Sequence, residues 1–213
     1  MSVRRYSPLD LVLNEVGHFL QTVAATPISQ RHNPAIKVLE DDLTQPEMKH
    51  AAGLIRVDHT GEICAQALYR GQAVAARTSA IRDSLHQAAQ EENDHLAWCQ
   101  HRLTELHSHP SYLNIFWYLA SFKLGVLAGL AGDGFSMGFV EETEKQVVKH
   151  IDQHLATLPS NDHKSRAILQ QMRIDEQKHA TTAVKKGAKP LPGLIQKLMA
   201  IKSKIMTSSA YYL

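Results

Sequence analysis

Apolar residues return every three to four positions through most of the chain, and the apolar–polar alternation of half-buried strands is absent. Filled out with Ala, Leu, Gln, Glu and Lys, that period predicts helices over 9–23, 45–77, 80–107, 135–158, 163–186 and 193–206. The breaks agree with it. Residues 26–34, with Pro27 and Pro34, read as a loop. In Thr44-Gln45-Pro46-Glu47 an N-cap Thr, a Pro in the first turn and a capping-box Glu open a long helix. Thr78-Ser79 can cap the next helix, and Pro110 stops it. Pro159-Ser160-Asn161-Asp162 makes a turn, and Pro190 and Pro192 set off the last helical segment.

Residues 112–130 are the most apolar stretch. Within it, 115–130 carries Lys123 and falls short of the roughly 20 apolar residues that cross a bilayer core. A buried or interfacial helix is expected there, not a span. No linker divides the 213 residues, so one all-α domain is expected: a bundle core over about 45–186 and a basic amphipathic tail over 187–213.

Composition sharpens this picture in three places. The formal charge of +2 excludes a strongly basic nucleic-acid binder, and no nucleic-acid partner is expected. That total hides a division, because Lys185, Lys186, Lys189, Lys197, Lys202 and Lys204 close the chain without any acid among them. The body before them is therefore slightly acidic. Cys64 and Cys99 are too few for a Cys-based zinc site and read as small buried thiols. Arg4 and Arg5 are followed by no uninterrupted apolar run, so no signal peptide is expected.

The 13 His are the candidate chemistry. On a helix, Glu and His three apart share a face, so E-x-x-H can offer a carboxylate and an imidazole to one metal. With 11 Glu in the chain, chance supplies fewer than one such pair, yet there are four: Glu15/His18, Glu47/His50, Glu92/His95 and Glu176/His179. Hairpin geometry sorts them. Glu62 and His95 lie symmetrically about Thr78-Ser79, and Glu141 and His179 lie symmetrically about the 159–162 turn. Each hairpin thus sets a lone Glu level with an E-x-x-H motif. Two such hairpins form a four-helix bundle with the Glu, E-x-x-H, Glu, E-x-x-H set of di-iron carboxylate proteins. Glu47 is explained by its capping box, and Glu15/His18 by the solvated face of a short amphipathic helix. Glu91, Asp94, Glu142, Glu144, Asp175 and Asp58 with His59 are candidates to hydrogen-bond the ligating His.

Specific motifs then point to a family. Leu54-Ile55-Arg56-Val57-Asp58-His59-Thr60-Gly61-Glu62, continuing to Tyr69-Arg70-Gly71-Gln72, resembles the demethoxyubiquinone hydroxylases of ubiquinone biosynthesis in their bacterial form. Glu91-Glu92-Asn93-Asp94-His95, Val140-Glu141-Glu142-Thr143 and Asp175-Glu176-Gln177-Lys178-His179 follow in that family's order and spacing, so the resemblance covers about 49–186. It implies a ferritin-like bundle with additional N-terminal, connector and C-terminal helices. It also implies a carboxylate-bridged di-iron centre. Glu62, Glu92 and His95 would hold one iron, Glu141, Glu176 and His179 the other, with Glu92 and Glu176 as bridges. The implied reaction is hydroxylation of the demethoxyubiquinol ring with O2 and two electrons, supplied by the quinol or an external donor. One departure is that animal members carry a His-Tyr pair where this chain has Val147-Val148, with His150 nearby.

A polyprenyl benzoquinol lives in the bilayer, so its enzyme must sit on the membrane without needing to cross it. The expected place is peripheral, on the cytoplasmic side of the inner membrane. Phe116, Trp117, Tyr118 and Phe122 can supply an apolar face. In 193–206, Leu194, Ile195, Leu198, Met199, Ile201, Ile205 and Met206 mix with Lys197, Lys202 and Lys204 as a lipid-facing basic amphipathic helix. Packing on the bundle or on a sister subunit in a homo-oligomer would account for the same residues. The competing functions are a di-iron hydroxylase of another hydrophobic or RNA substrate, a ferritin-like iron store, and a metal-free structural bundle.

Overall fold

Hairpin symmetry predicts two long antiparallel pairs, and the computed structural model contains them. It describes residues 7–39 and 41–213, so Arg4 and Arg5 lie outside the described residues. The first pair is α2 (Gln45–Ala75) with α3 (Ser79–Glu105), and the second is α5 (Asp133–Thr157) with α6 (His163–Lys185). Around them lie α1 (Pro8–Ala24), the connector α4 (Asn114–Leu130) and the C-terminal α7 (Gly193–Tyr212). No strand occurs among the described residues. The architecture is a ferritin-like helical bundle with three added helices.

The predicted caps are in place. Glu47 accepts from the Thr44 backbone N–H at 2.8 Å, closing the capping box of α2. Thr78 caps α3, and the turn before it is tied to the start of α5 because Asp133 accepts from the N–H groups of Arg77 and Thr78. Asp162 caps α6 and also accepts from Arg102 of α3 at 2.9 Å, a fully buried link between the two hairpins.

Two apolar layers fill the bundle. One gathers Ile55, Trp98, Cys99, Leu103, Ile151, Ile168, Leu169 and Met172. The other gathers Leu68, Tyr69, Ile81, Leu85, Met137, Val140 and Ala183. On all four bundle helices the sequence interval between these layers holds the buried acids and imidazoles of the centre described below. Closed above and below by packed side chains, that level is kept from bulk water.

The connector α4 lies along α2 at backbone contact distance. A Cβ on Gly71 would come within 2.2 Å of the Phe122 carbonyl, and one on Gly125 within 2.1 Å of the Leu68 carbonyl. Trp117, Tyr118, Ser121, Gly125, Ala128 and Gly129 form its buried face, while Ile115, Phe116, Leu119, Leu127 and Leu130 are exposed. The apolar stretch thus serves both the core and the surface. No helix among the described residues is long and apolar enough to cross a membrane.

The last helix runs six residues beyond the expected end at Met206, through Ser and Thr positions of modest helix propensity. Tertiary bonds hold that extension. Tyr211 pairs through its hydroxyl with His50 Nδ1 at 2.7 Å, and its carbonyl accepts from Arg56. The Tyr112 N–H donates to the Leu213 carbonyl.

Candidate metal centre

Five of the six expected ligands converge. Glu62 from α2, Glu92 and His95 from α3, and Glu176 from α6 form one set whose potential ligand atoms all lie within 4.8 Å of one another. Glu92, Glu176, His179 and Glu144 form a second set of the same tightness. All six residues are buried. Glu92 and Glu176 belong to both sets, which is the position a pair of bridging carboxylates must take.

Glu141 is the exception and requires a correction. It stays half-buried at the edge of α5 and pairs with Lys145, while Glu144, one turn later, enters the cluster at 1% exposure. Hairpin symmetry could not separate them. Glu144 with Glu176 is centred on the same turn as Glu141 with His179, so both carboxylates sit at the right height. Three residues on a helix differ by about 60° in direction, and only the packing of α5 decides which one faces in.

The two halves are built alike. His95 Nδ1 faces the cluster, 2.9 Å from Glu92 and 3.1 Å from Glu176, and its Nε2 lies 3.1 Å from Asp175. His179 Nδ1 lies 3.1 Å from both Glu176 and Glu92, and its Nε2 2.7 Å from Glu91. Each imidazole is therefore oriented by the acid that precedes the E-x-x-H motif of the opposite hairpin. With Nε2–H donated to that acid, Nδ1 turns its lone pair toward the cluster.

Of the expected orienting acids, Glu91 and Asp175 take that role and the others do not. Asp94 instead accepts from Ser29, the Gln30 N–H and Arg31. Asp58 bonds His154 at 3.0 Å, His59 bonds Gln100, and Glu142 bonds Gln146. The 26–34 loop, predicted only as a connection, contributes a residue the sequence did not flag. Arg31 bridges Asp94 and Asp175 at 2.8 and 2.7 Å, and its guanidinium lies over the Trp98 ring. Its clamp joins α3 to α6 behind His95. A loop residue 63 positions before its partner carries no periodic signal.

The electrostatics fit a cation site. Burial, reinforced by the charge of Glu92, pushes the Glu62 pKa well above the usual carboxylate range. Burial and the charge of Glu176 do the same to Glu144. For Glu92 burial is outweighed by His179 and His95, and its pKa is held low. Burial alone would lower both imidazoles. For His95 it is overcome by Asp175, Glu176, Glu62 and Glu92, and for His179 by Glu92 and Glu176, so both are raised. Glu144 Oε1 is buried without a hydrogen-bond partner, and Glu62 Oε2 and Glu92 Oε1 meet only the cluster-facing imidazole nitrogens, at 3.5 and 3.1 Å. Dry carboxylates are stable only when a proton or a cation neutralises them, and a cation can serve all of them at once. Four carboxylates balance two divalent cations, and a carboxylate–imidazole set of this hardness suits Fe(II) or Mn(II).

A cavity of about 390 Å³ lies among α2, α4, α5 and α7, and its walls are mostly apolar. Gly61 and Ala65 flank Glu62 along it, and Thr143 and Val147 flank Glu144. A smaller one of about 130 Å³, among α3, α5 and α6, reaches His179 and Glu91. Cys64 and Cys99 are free thiols, the first half-buried on the larger cavity and the second fully buried.

Neither rejected E-x-x-H pair approaches the cluster. Glu47 remains in its cap, and His50 holds Tyr211. Glu15 does more than sit on a solvated face: both its oxygens accept from Arg70 at 2.8 Å and fasten α1 to α2.

Comparison with known proteins adds the following. The family model described as ubiquinone biosynthesis protein COQ7 matches residues 49–210. A protein of Coxiella burnetii (strain RSA 331 / Henzerling II) is 51% identical over 210 residues, covering 99% of this chain and 98% of that one. One of Xanthomonas euvesicatoria pv. vesicatoria (strain 85-10) is 52% identical over 210 residues, covering 99% and 97%. One of Francisella tularensis subsp. novicida (strain U112) is 50% identical over 209 residues, covering 98% and 99%. All three are named 3-demethoxyubiquinol 3-hydroxylase. Among solved structures, the bacterioferritin-related dodecameric thioferritin of Bacteroides fragilis superposes with a TM-score of 0.55 at 13% identity, covering 74% of this chain and 90% of that one, a likeness of fold alone.

Proposed function

The chain belongs to the family of the ubiquinone biosynthesis protein COQ7, and on that footing we propose that it is an O2-dependent di-iron hydroxylase of the 3-demethoxyubiquinol ring. Two irons would be held by Glu62, Glu92, His95 and Glu176 on one side and by Glu92, Glu176, Glu144 and His179 on the other. Bound there, iron supplies O2 binding and activation. The overall reaction inserts one oxygen atom into a ring C–H bond and reduces the other to water, drawing two electrons and two protons from the quinol or an external donor.

The observation that carries the reading is the pairing of a buried four-carboxylate, two-imidazole cluster with an apolar cavity lined by the chain neighbours of two of its carboxylates, Gly61 beside Glu62 and Thr143 beside Glu144. An iron store needs the cluster but gains nothing from the cavity. The protein's own part is positional. Asp175 and Glu91 hold the imidazoles, Arg31 fixes Asp175, and the two apolar layers exclude water from a reaction that water would divert. The cavity would take the ring and the first part of the prenyl tail.

The substrate's home supports a peripheral place on a membrane. Leu194, Leu198, Ile201 and Ile205 form an exposed stripe on α7 beside exposed Lys197 and Lys204. On α4, Ile115, Phe116 and Leu119 are exposed, and on α1 Leu9, Val12, Leu13, Val16 and Leu20. Both α1 and α7 touch α4, through the Phe19–Tyr118 ring pair and the Lys202–Ser121 hydrogen bond. Apolar stripes with neighbouring lysines suit insertion to headgroup depth in an anionic bilayer.

The test is direct. Iron-loaded protein, a short-tailed demethoxyubiquinol, O2 and a reductant should give a product one oxygen atom heavier. Full iron occupancy with no such product would overturn the hydroxylase reading.

A further inference from the structure

Two stripes run along α7, offset by one residue. Leu194, Leu198, Ile201 and Ile205 are largely exposed, while Ile195, Met199, Lys202 and Met206, with Leu198 at the rim, line the 390 Å³ cavity. A lysine therefore stands where the helical period calls for an apolar side chain. Reading the sequence alone groups Lys202 with Lys197 and Lys204 on a lipid-facing side, yet only those two are exposed.

Inside the cavity, Lys202 Nζ donates to Ser121 Oγ of α4 at 2.9 Å. The Cys64 thiol lies against the same pair. No carboxylate of the described residues forms an ion pair with Lys202. An ammonium carries three donors, and the hydrogen bond of half-buried Lys202 to Ser121 uses one of them, leaving two for a ligand. A cationic donor set among mostly apolar walls, with Ser121 as its protein partner, suits a ligand that brings oxygen to that point. A prenyl chain has none. A benzoquinol ring has hydroxyl and methoxy oxygens at its rim, and its faces are apolar enough for the remaining walls.

The geometry points to Lys202 and Ser121 as the donor pair that grips a ring oxygen of the quinol and so sets the ring against the Glu62 and Glu144 side of the metal cluster. The assignment deepens the hydroxylase reading and rests on it. Ser121 accepts from Lys202, and its O–H, which lies beside the Cys64 thiol, can turn to a ring oxygen as the stronger acceptor. Both residues are positioning groups that touch the substrate and leave the metal ligands alone. A lipid phosphate is the other oxygen-rich ligand a lysine of this helix could meet, but the Lys202 amine is turned away from the stripe that would face it.

The test compares the wild type with Lys202→Met, Lys202→Arg and Ser121→Ala, all iron-loaded in detergent. The probes are a short-tailed demethoxyubiquinone and a ring analogue with the same tail but neither ring oxygen, with binding read by quenching of protein fluorescence. Lys202→Met should raise the quinone Kd and the KM about tenfold, with iron content unchanged. Lys202→Arg should recover most of the affinity, and Ser121→Ala should fall between. The analogue should bind wild type and Lys202→Met alike. Equal quinone affinity in Lys202→Met would overturn the proposal. So would an equal loss for both probes, which marks a purely structural role, or an unchanged quinone Kd with weaker co-sedimentation on anionic vesicles in a parallel assay, which marks a lipid contact. A wild-type protein that binds neither quinone nor analogue would instead overturn the quinol reading beneath it.

Discussion

Glu144 and Glu141 sit one turn apart on the same helix, and the cluster takes only Glu144. The buried Glu144 carboxylate has no donor on one oxygen and calls for a proton or a cation, whereas the Glu141 carboxylate is already served by Lys145 at the edge of the bundle. Glu144→Gln should therefore cut bound iron from about two per chain to one or fewer, and lower the hydroxylation rate at least 100-fold. Glu141→Gln should keep both irons. Elemental analysis after dialysis against free iron decides it, and the reverse pattern would return the ligand to Glu141. The same residue-level logic explains why Glu91 and Asp175 were legible in the sequence only as candidates. Their place next to each E-x-x-H motif was visible, but their partner lies 88 and 80 positions away on the other hairpin.

Helices meet here through a few buried polar links as well as through apolar layers. Asp58 of α2 and His154 of α5 are both buried and 3.0 Å apart, and the His150 ring packs edge-on at 4.6 Å. Burial disfavours the charged His154, but Asp58 outweighs it and raises the imidazole pKa above its ordinary value of 6.5. A group raised in the folded state contributes its full stability below the unfolded pKa and loses it as pH climbs through the folded one. The contribution is thus complete below about pH 6.5 and fades as pH climbs through the raised folded-state pKa. His154→Gln should lower Tm by several degrees at pH 6, about 2–4 °C per kcal/mol for a chain of this size. The gap to wild type should narrow as pH is raised from 6 into the alkaline range. Melting curves for both proteins across that range would show it, and a gap independent of pH would mean the pair acts through packing alone. Element ends were legible where a cap is local, as at Thr44 and Asp162. The end of α7 was not, because its last residues are held by His50, Arg56 and Tyr112 from distant parts of the chain.

For the whole molecule, a total charge of +2 averages a slightly acidic body, which holds the buried acid–imidazole cluster, and a lysine-rich end. The exposed apolar residues of α7 beside Lys197 and Lys204 predict binding to anionic vesicles that weakens with salt. Ile201→Glu with Ile205→Glu should reduce co-sedimentation with such vesicles more than tenfold while leaving helicity and iron content intact. Undiminished sedimentation would remove α7 from the membrane face.

From its sequence alone this chain determined the number of long helices, the two hairpin turns, the height at which acids and imidazoles meet, and its family. All of these depend on local spacing, because periodicity and caps set where a residue lies along a helix axis. Tertiary structure alone decided which way the residues at that height point. It chose Glu144 over Glu141, turned Lys202 inward, crossed Glu91 and Asp175 to the opposite imidazoles and brought Arg31 in from a loop. Direction about a helix axis is settled by what the neighbouring helices bury, and that information is spread over partners far apart in the chain.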